Sequence, residues 1–421
     1  MDVPKYYEFC ARVKTISGHK ALEKIPEALV KLNAQKPMIV TDKGVSQAGL
    51  IDLLMTAMKG SKVTVGAIAD YVPPDSDCKV VNEIAKTYRE KNCDSIIAVG
   101  GGSAMDTAKG VNIVVSLGGT DIMDYEGAGA VKQKLKPLLI LPTTSGTGSE
   151  MTLVAVIADH EKSIKKLFVS YFLLPDITVL DSRMTKTLPP FLTAPTAMDA
   201  LTHSVEAYFC LGKNPLSDGT ALVAIQLICQ NILKAVKKPD DLEARLNLAN
   251  AATLAGMAFS NSMVGMVHNL GHATGGVCHV PHGACMSILL PYGMEYNLHK
   301  SADMIGELLF PIAGEEVYRN TPKKERAEKA IACVRQMNQD LFDATGGRHS
   351  RFLSELKDRN GAQMVPKEKL PDIARTAQSD GAKIYSPEEV TYNDALMVLE
   401  CAWEGKPLDR KKIKKGRKIR Y

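Results

Sequence analysis

The sequence predicts an α/β domain built on a parallel sheet, followed by an all-α domain. Three observations carry this. At 421 residues the chain exceeds the length at which one hydrophobic core stops growing, so two domains are expected. In residues 1–188 short β-branched runs alternate with amphipathic stretches, the pattern of parallel strands covered by helices on both faces. From Pro189 onward the strand signals vanish and long helical periodicity takes over. The expected domains are 1–188 and 189–421.

Taken in order, PMIVTD (37–42), KVTVGAI (62–68), SIIAVGG (95–101), KPLLILPTT (136–144) and ITVLD (177–181) read as strands. Between the first three lie the helical patterns QAGLIDLLMTAMK (47–59) and KVVNEIAKTYREKN (79–92). Pro189 and Pro190 stop the strand pattern, and Asp199 opens the helical half. ALVAIQLICQNILKAVKK (221–238) and EARLNLANAATLAGMAFSN (243–261) continue it, with Gly and Pro loops between.

Composition narrows the class. Hydrophobic residues make up 45% of the chain, yet no stretch approaches eighteen uninterrupted apolar positions, which argues for a soluble protein without a membrane span. The N-terminal MDVPKYYEFCARVK shows no apolar secretory core, so a cytoplasmic location is expected. Nine cysteines, odd in number, scattered and never spaced C-x-x-C, read as reduced and mostly buried thiols. Net charge is only +5, much of it in the terminal DRKKIKKGRKIRY. Without interleaved aromatics that run reads as a solvated tail or a subunit contact, not a nucleic-acid patch.

Three features of the first domain suit a dinucleotide. The buried strand ending at Val99 runs into Gly100-Gly101-Gly102-Ser103 and a helix, where glycines let backbone amides approach a pyrophosphate and the helix presents its positive end. A second strand runs into Thr143-Thr144-Ser145-Gly146-Thr147-Gly148-Ser149, a hydroxyl- and glycine-rich loop suited to ribose or phosphate. Asp42 ends a strand, where a carboxylate can accept both adenosine ribose hydroxyls and repel a 2′-phosphate, favouring NAD(H) over NADP(H). A helix N-cap beginning near Lys43 is the competing role for the same residue. The acid precedes the glycines by nearly sixty residues, whereas the ordinary fingerprint places it about twenty residues after them. The domain is therefore Rossmann-like but not of the standard order.

The second domain concentrates metal-binding side chains. Four of nine histidines fall between His268 and His282, and Asp199-Ala-Leu-Thr-His203 precedes them. Asp199 and His203, like His268 and His272, stand four residues apart in Pro-free segments, so each pair projects from one helix face. One carboxylate with three imidazoles suits Fe²⁺, Zn²⁺ or Mn²⁺ and leaves room for a substrate oxygen. Cys278 and Cys285 lie near the histidines but fit that set less well.

Over nearly its whole length the chain resembles the iron-containing (group III) alcohol dehydrogenase family. The matching motifs are GGGSAMDTAK (100–109), PTTSGTGSE (142–150), MDALTHSVEAY (198–208) and HNLGHATGGVCHVPHG (268–283). The resemblance implies an N-terminal dinucleotide-binding domain, a helical C-terminal domain, and an active site in the cleft between them. It places the metal ligands on Asp199, His203, His268 and His282, and puts His272 near the nicotinamide as a proton relay. For the cofactor it implies Asp42 at the ribose and Gly101, Gly102 and Ser103, with Asp106 in the same motif, at the pyrophosphate. Thr143, Thr144 and Thr147 follow around the phosphates, and Lys165 matches a cofactor-contacting lysine, with Lys166 as the other possible alignment. Members commonly dimerise or form larger assemblies. Asp75 stands where relatives often have Asn, and Thr196-Ala197 where they have Thr-Gly. In the substrate pocket Phe259 matches an aromatic position, Val154 replaces a polar one, and Lys383 stands where small neutral residues are common.

The implied reaction interconverts a small primary alcohol and its aldehyde with NAD(H) and Fe²⁺ or Zn²⁺. Lys383 raises an alternative, an aldehyde bearing a carboxylate or sulfonate that an ammonium would attract. Another is a hydroxyacid–oxoacid transhydrogenase, which keeps its nicotinamide bound and needs a second acid substrate. A lyase of the dehydroquinate synthase type is disfavoured by the apolar surroundings of His268.

Overall fold

A computed structural model describes residues 4–161 and 164–413. Nine strands fall in the first half: β1 (Lys14–Gly18), β2 (Pro37–Val40), β3 (Ala67–Ala69), β4 (Ser95–Gly100), β5 (Gly127–Ala128), β6 (Leu138–Pro142), β7 (Val154–Asp159), β8 (Ile164–Val169) and β9 (Ile177–Asp181). Six of them form one sheet in the order β1-β9-β6-β4-β2-β3, every pair parallel. The inner strands β2, β4, β6 and β9 are buried along their whole length, which is why they read as unbroken apolar runs. Their side chains alternate between two cores. Met38, Val40, Ile96, Ala98, Leu138 and Ile140 enter one, while Ile39, Ile97, Val99, Leu139 and Leu141 enter the other.

Helices α1 (Ile25–Lys31), α2 (Lys43–Gln47) and α3 (Leu50–Met58) supply the second of these cores; α4 (Cys78–Glu90) and α5 (Gly102–Leu117) supply the first. A short α6 (Ser182–Thr185) follows β9. The chain passes from β2 outward to β3 and returns to β4 on the other side of β2, so the sheet order reverses at this pair. Ligands of open α/β sheets bind outside the carboxyl ends of strands at such a point.

Two strand expectations shift. KVTVGAI pairs as a ladder only over Ala67–Ala69, although the Thr64 and Gly66 amides still reach the Gln35 and Pro37 carbonyls. A small second sheet, β5-β8-β7, was not foreseen. Its β8, IKKLFV, is mostly exposed, with Lys165 and Lys166 interrupting any apolar alternation.

No strand follows β9 among the described residues. The helical half opens with α7 (Pro190–Phe209), α8 (Pro215–Lys237), α9 (Leu242–Ser262), α10 (Met266–Cys278) and α11 (His282–Tyr296), and further helices follow as far as Glu404. By length and composition α8 is apolar enough to cross a membrane; here it packs along α7, with 44% of its most apolar window buried.

The chain divides into two compact units, one comprising Cys10–Leu188 with Asp240–Gly256, the other Pro189–Pro239 and Met257–Tyr421 with the N-terminal residues up to Phe9. Besides Leu188/Pro189, a boundary therefore falls inside α9, where no local pattern marks one. Polar contacts explain it. Arg245 donates to the Leu188 carbonyl, Asn250 to the Ser17 hydroxyl and Thr253 to Glu150, and Gly256 lies against Gly148 so closely that a Cβ would sit 2.5 Å from the Gly148 carbonyl oxygen.

Candidate metal centre and nucleotide site

Helix α7 is buried from Ala197 to Phe209 and carries Asp199, His203 and Glu206 at i, i+4 and i+7, one face of a helix. His268 lies in the first turn of α10, and His282 is the first residue of α11. Glycines let these helices close on one another. A Cβ at Gly283 would lie 2.6 Å from the Pro195 carbonyl oxygen of α7, and one at Gly271 would lie 1.9 Å from the Met286 methyl of α11. The start of α11 thus rests on α7, which brings His282 to Asp199.

Ligand atoms of Asp199, His203, His268 and His282 all lie within 4.8 Å of one another. Asp199 Oδ1 is 3.3 Å from His282 Nε2 and 3.8 Å from His203 Nδ1. Asp199 Oδ1, His203 Nδ1 and His268 Nε2 are buried without a hydrogen-bond partner. Orphaned polar atoms of this kind cost free energy unless something satisfies them, and a divalent cation at their common focus would. Burial pulls the His203 imidazole down to about 3 and that of His268 well below its ordinary value, so both are neutral with free lone pairs, the form that binds metal. Burial opposes ionisation of Asp199 as well, but His203 and His282 outweigh it and hold the carboxyl below its usual range. The nitrogen and oxygen donors present fit Fe²⁺ or Zn²⁺.

His203 is sandwiched. Phe259 stacks on it at 4.1 Å between centroids and 13°, and His268 at 4.5 Å and 29°. Phe259 therefore braces the His203 ring.

His272 lies one turn beyond His268 and stands outside the four-residue ligand group. Its ring stacks on His282 at 5.4 Å, its side chain is 44% exposed, and its Nδ1 lies 2.9 Å from Asp380 Oδ2. Asp380 also accepts the Ala382 amide through Oδ1, which fixes the carboxylate. Burial alone would push the Asp380 carboxyl up, but the His272 hydrogen bond and charge prevail and hold it below the usual carboxylate range. His279 serves another purpose: it ends α10 in the left-handed conformation, φ 56°. Cys278 and Cys285 are not in the ligand group either. Lys383 directs its ammonium onto the Gln378 carbonyl, so its charge is already partnered within its own segment.

In the other unit, the residues expected at a nucleotide gather at the ends of β2, β4 and β6. Gly100 has φ +156° and no room for a Cβ, which would sit 2.5 Å from that of Ala104; Asp42 Oδ2 is 3.5 Å from the same point. Asp42 takes the capping role and keeps its other oxygen towards the glycines: Oδ1 accepts the Val45 amide at the start of α2, and Oδ2 faces the glycine turn. Gly101 abuts Thr144 and Gly102 abuts Thr147, where added Cβ atoms would lie 3.3 and 3.0 Å from side-chain atoms. Thr143 donates its amide to the Gly100 carbonyl. No side chain caps α5, and Thr144 Oγ1 is buried without a partner. Together the close glycine cradle, the uncapped helix start and the orphaned hydroxyl fit a pyrophosphate.

Ser103 Oγ accepts the Asp75 amide, and the Asp75 carboxylate pairs with Lys165 at 2.7 Å. Lys166 turns the other way, to Glu126. Of the two lysines, Lys165 is thus the one beside the glycine turn. Asp106 accepts the Ser149 hydroxyl at Oδ1 and the Val156 amide at Oδ2, and the buried Lys109 ammonium, drawn down to about 8 by burial, donates to Ser149, Thr152 and the carbonyl of Val154. Asp106 and Lys109 hold the threonine loop and the start of β7 in place. Val154 enters the structure through that carbonyl.

Two carboxylates at the candidate site have no place in the sequence analysis, Glu206 against His268 and Asp380 against His272. Glu206 lay in plain sight, three residues after His203 on the same face; Asp380 gave no local signal.

The model for the iron-containing alcohol dehydrogenase matches residues 13–182, and the model for the C-terminal part of the Fe-containing alcohol dehydrogenase family matches 193–403. The chain belongs to this family. It is 33% identical over 389 residues to alcohol dehydrogenase 4 of Saccharomyces cerevisiae, covering 92% of this chain and 96% of the relative. It is 36% identical over 388 residues to the 1,3-propanediol dehydrogenase of Klebsiella pneumoniae, with the same coverage. A crystal structure of a 1,3-propanediol oxidoreductase superposes with a TM-score of 0.87 at 31% identity, covering 95% of this chain and all of that one. The chain is accordingly an oxidoreductase of alcohol–aldehyde interconversion, and its Rossmann-like unit with a helical partner is the family's fold.

Proposed function

We propose that the enzyme interconverts a small primary alcohol and its aldehyde, using NAD(H) and one Fe²⁺ or Zn²⁺. The observation that carries this is the convergence of the unpartnered Asp199 Oδ1, His203 Nδ1 and His268 Nε2 beside His282. When bound, the divalent ion would withdraw charge from a substrate oxygen and the nicotinamide would accept or supply hydride. The remaining work falls to the chain. Asp199, His203, His268 and His282 would hold the ion; Phe259 keeps His203 in plane. His272 takes the proton that leaves the alcohol oxygen, and its half-exposed ring returns it to solvent while Asp380 holds Nδ1. Asp42, Gly101, Gly102, Ser103, Thr143, Thr144, Thr147 and Lys165 would bind the dinucleotide, with Asp106 keeping the threonine loop in position.

Asp42 Oδ2 beside the glycine turn supports NADH over NADPH, since a 2′-phosphate there would meet a carboxylate. An uncharged substrate is favoured over an anionic one because the Lys383 ammonium is bound to a carbonyl. On family grounds the proposal extends to a cytoplasmic homodimer or larger assembly. The test is anaerobic purification with metal analysis, followed by turnover of butanal and of an anionic aldehyde with NADH and NADPH. Absence of bound divalent metal, or activity that survives its removal by a chelator, would sink the reading.

A further inference from the structure

Glu206 belongs to none of the assigned sets, yet it is wholly buried and stands at the junction of the two helices that carry three of the four ligands. Its Oε1 accepts the Val267 amide at 2.7 Å, and its Oε2 accepts the His268 amide at 3.3 Å and meets His268 Nδ1 at 2.5 Å. Val267 and His268 are the second and third residues of α10, whose own N-cap, Gly265, offers no side chain. Glu206 on α7 therefore supplies from outside the cap that α10 lacks. Gly265 makes room for it: a Cβ there would lie 3.2 Å from Glu206 Oε1.

We infer that Glu206 is a positioning residue that fixes His268 as the Nδ1–H tautomer and so leaves Nε2 as the metal-binding lone pair. The geometry is self-consistent. A carboxylate that accepts two backbone amides faces the ring as an acceptor, so Nδ1 is the nitrogen that donates; Nε2 is then bare, and it is buried without a partner. Carboxylates that receive the second ring N–H of a ligating histidine set its tautomer, its orientation and its basicity, and their loss costs about 10–100-fold in metal affinity. This inference rests on the metal-site reading above and adds to it the device that holds one ligand ready.

Glu206→Gln separates tautomer control from helix capping. The amide has one oxygen. Of the two donors that cannot change their proton, the Val267 amide at 2.7 Å holds its oxygen more closely than the His268 amide at 3.3 Å, whereas the imidazole can change its proton, so the oxygen stays on Val267 and the NH₂ faces the ring. His268 then accepts at Nδ1 and carries its proton on Nε2, directed at the ion. Zn²⁺ affinity of the full-length metal-free protein, measured by chelator competition, should fall about 10–100-fold in Glu206→Gln. NADH binding should be unchanged. In parallel, ¹⁵N spectra of the metal-free wild type should show His268 protonated at Nδ1. Zn²⁺ affinity within twofold of wild type in a folded Glu206→Gln, or an Nε2-protonated His268 in the wild type, would overturn the inference. If Glu206→Gln does not fold, the wild-type spectrum decides alone. A wild type that binds no Zn²⁺ would defeat the metal-site reading and leave the tautomer result to stand or fall separately.

Discussion

In the α/β unit the groups offered to a ligand are mostly backbone: glycine amides at the end of β4, the uncapped start of α5, and a run of hydroxyls after β6. In the helical unit they are side chains drawn from three helices, buried and lacking partners. The contrast matters for how each site responds to change. A backbone cradle is shaped by the absence of Cβ atoms and is held by its neighbours, Asp106 and Lys109, so single polar substitutions affect it gradually. A side-chain cluster with three orphaned atoms is a single unit, and losing one member disables it.

The largest effect should therefore come from the cluster. Asp199→Ala should abolish stoichiometric metal binding and lower kcat/KM by about 10³-fold or more, the scale on which one preorganised charge acts. NADH affinity, read by fluorescence titration, should stay within a few-fold of wild type. A parallel collapse of NADH binding would break the comparison, because the two sites would then not be separable. Next comes His272→Ala, which should cost about 10²-fold in kcat while metal content stays full. Full activity in that variant would remove His272 from the proton path.

The same contrast explains what the sequence revealed. Glycine turns and i, i+4 ligand pairs are local patterns, so Gly100–Ser103, Asp199 with His203, and His268 could be read directly. Glu206 had the right spacing too, but a carboxylate three residues after a ligand says nothing until α10 is seen to begin against it. Asp380 is 108 residues from His272 and meets it only through the fold. Residues 240–256 read as ordinary amphipathic helix, and only the partners of Arg245, Asn250 and Thr253 assign them to the α/β unit. In the β7–β8 hairpin, β8 is mostly exposed and Lys165 and Lys166 dilute the alternation that marks a strand.

Asp42 sharpens the comparison, since its Oδ2 faces the backbone cradle while its Oδ1 caps α2. Asn caps a helix as well as Asp does, so Asp42→Asn should leave stability nearly unchanged while removing the charge. The ratio of kcat/KM for NADPH over NADH should rise about tenfold, equivalent to ~1.4 kcal/mol of relieved like-charge repulsion. An unchanged ratio would reduce Asp42 to its capping role.

The last effect should appear in stability and leave turnover at neutral pH untouched; it is a pH dependence, and it too divides by region. In the α/β unit burial lowers Lys109 to about 8, so its charged form is disfavoured by folding and stability from it rises with pH only between about 8 and the ordinary lysine value of 10.5. In the helical unit burial lowers His349 to about 4, and its Nε2 lies 2.9 Å from the Ser287 hydroxyl and 3.2 Å from Asn338 Oδ1 in a closed network. An unfolded chain takes up a proton on this histidine near about pH 6.5, whereas the folded chain resists until about 4. Stability from this group is therefore complete above about pH 6.5 and is lost as pH falls, by ~2 kcal/mol on reaching about pH 5. His349→Gln offers the Ser287 hydroxyl a non-titrating partner, so its urea midpoint should vary less between about pH 7 and about pH 5 than that of the wild type. Equal slopes for the two proteins would mean that acid sensitivity arises elsewhere than in this network.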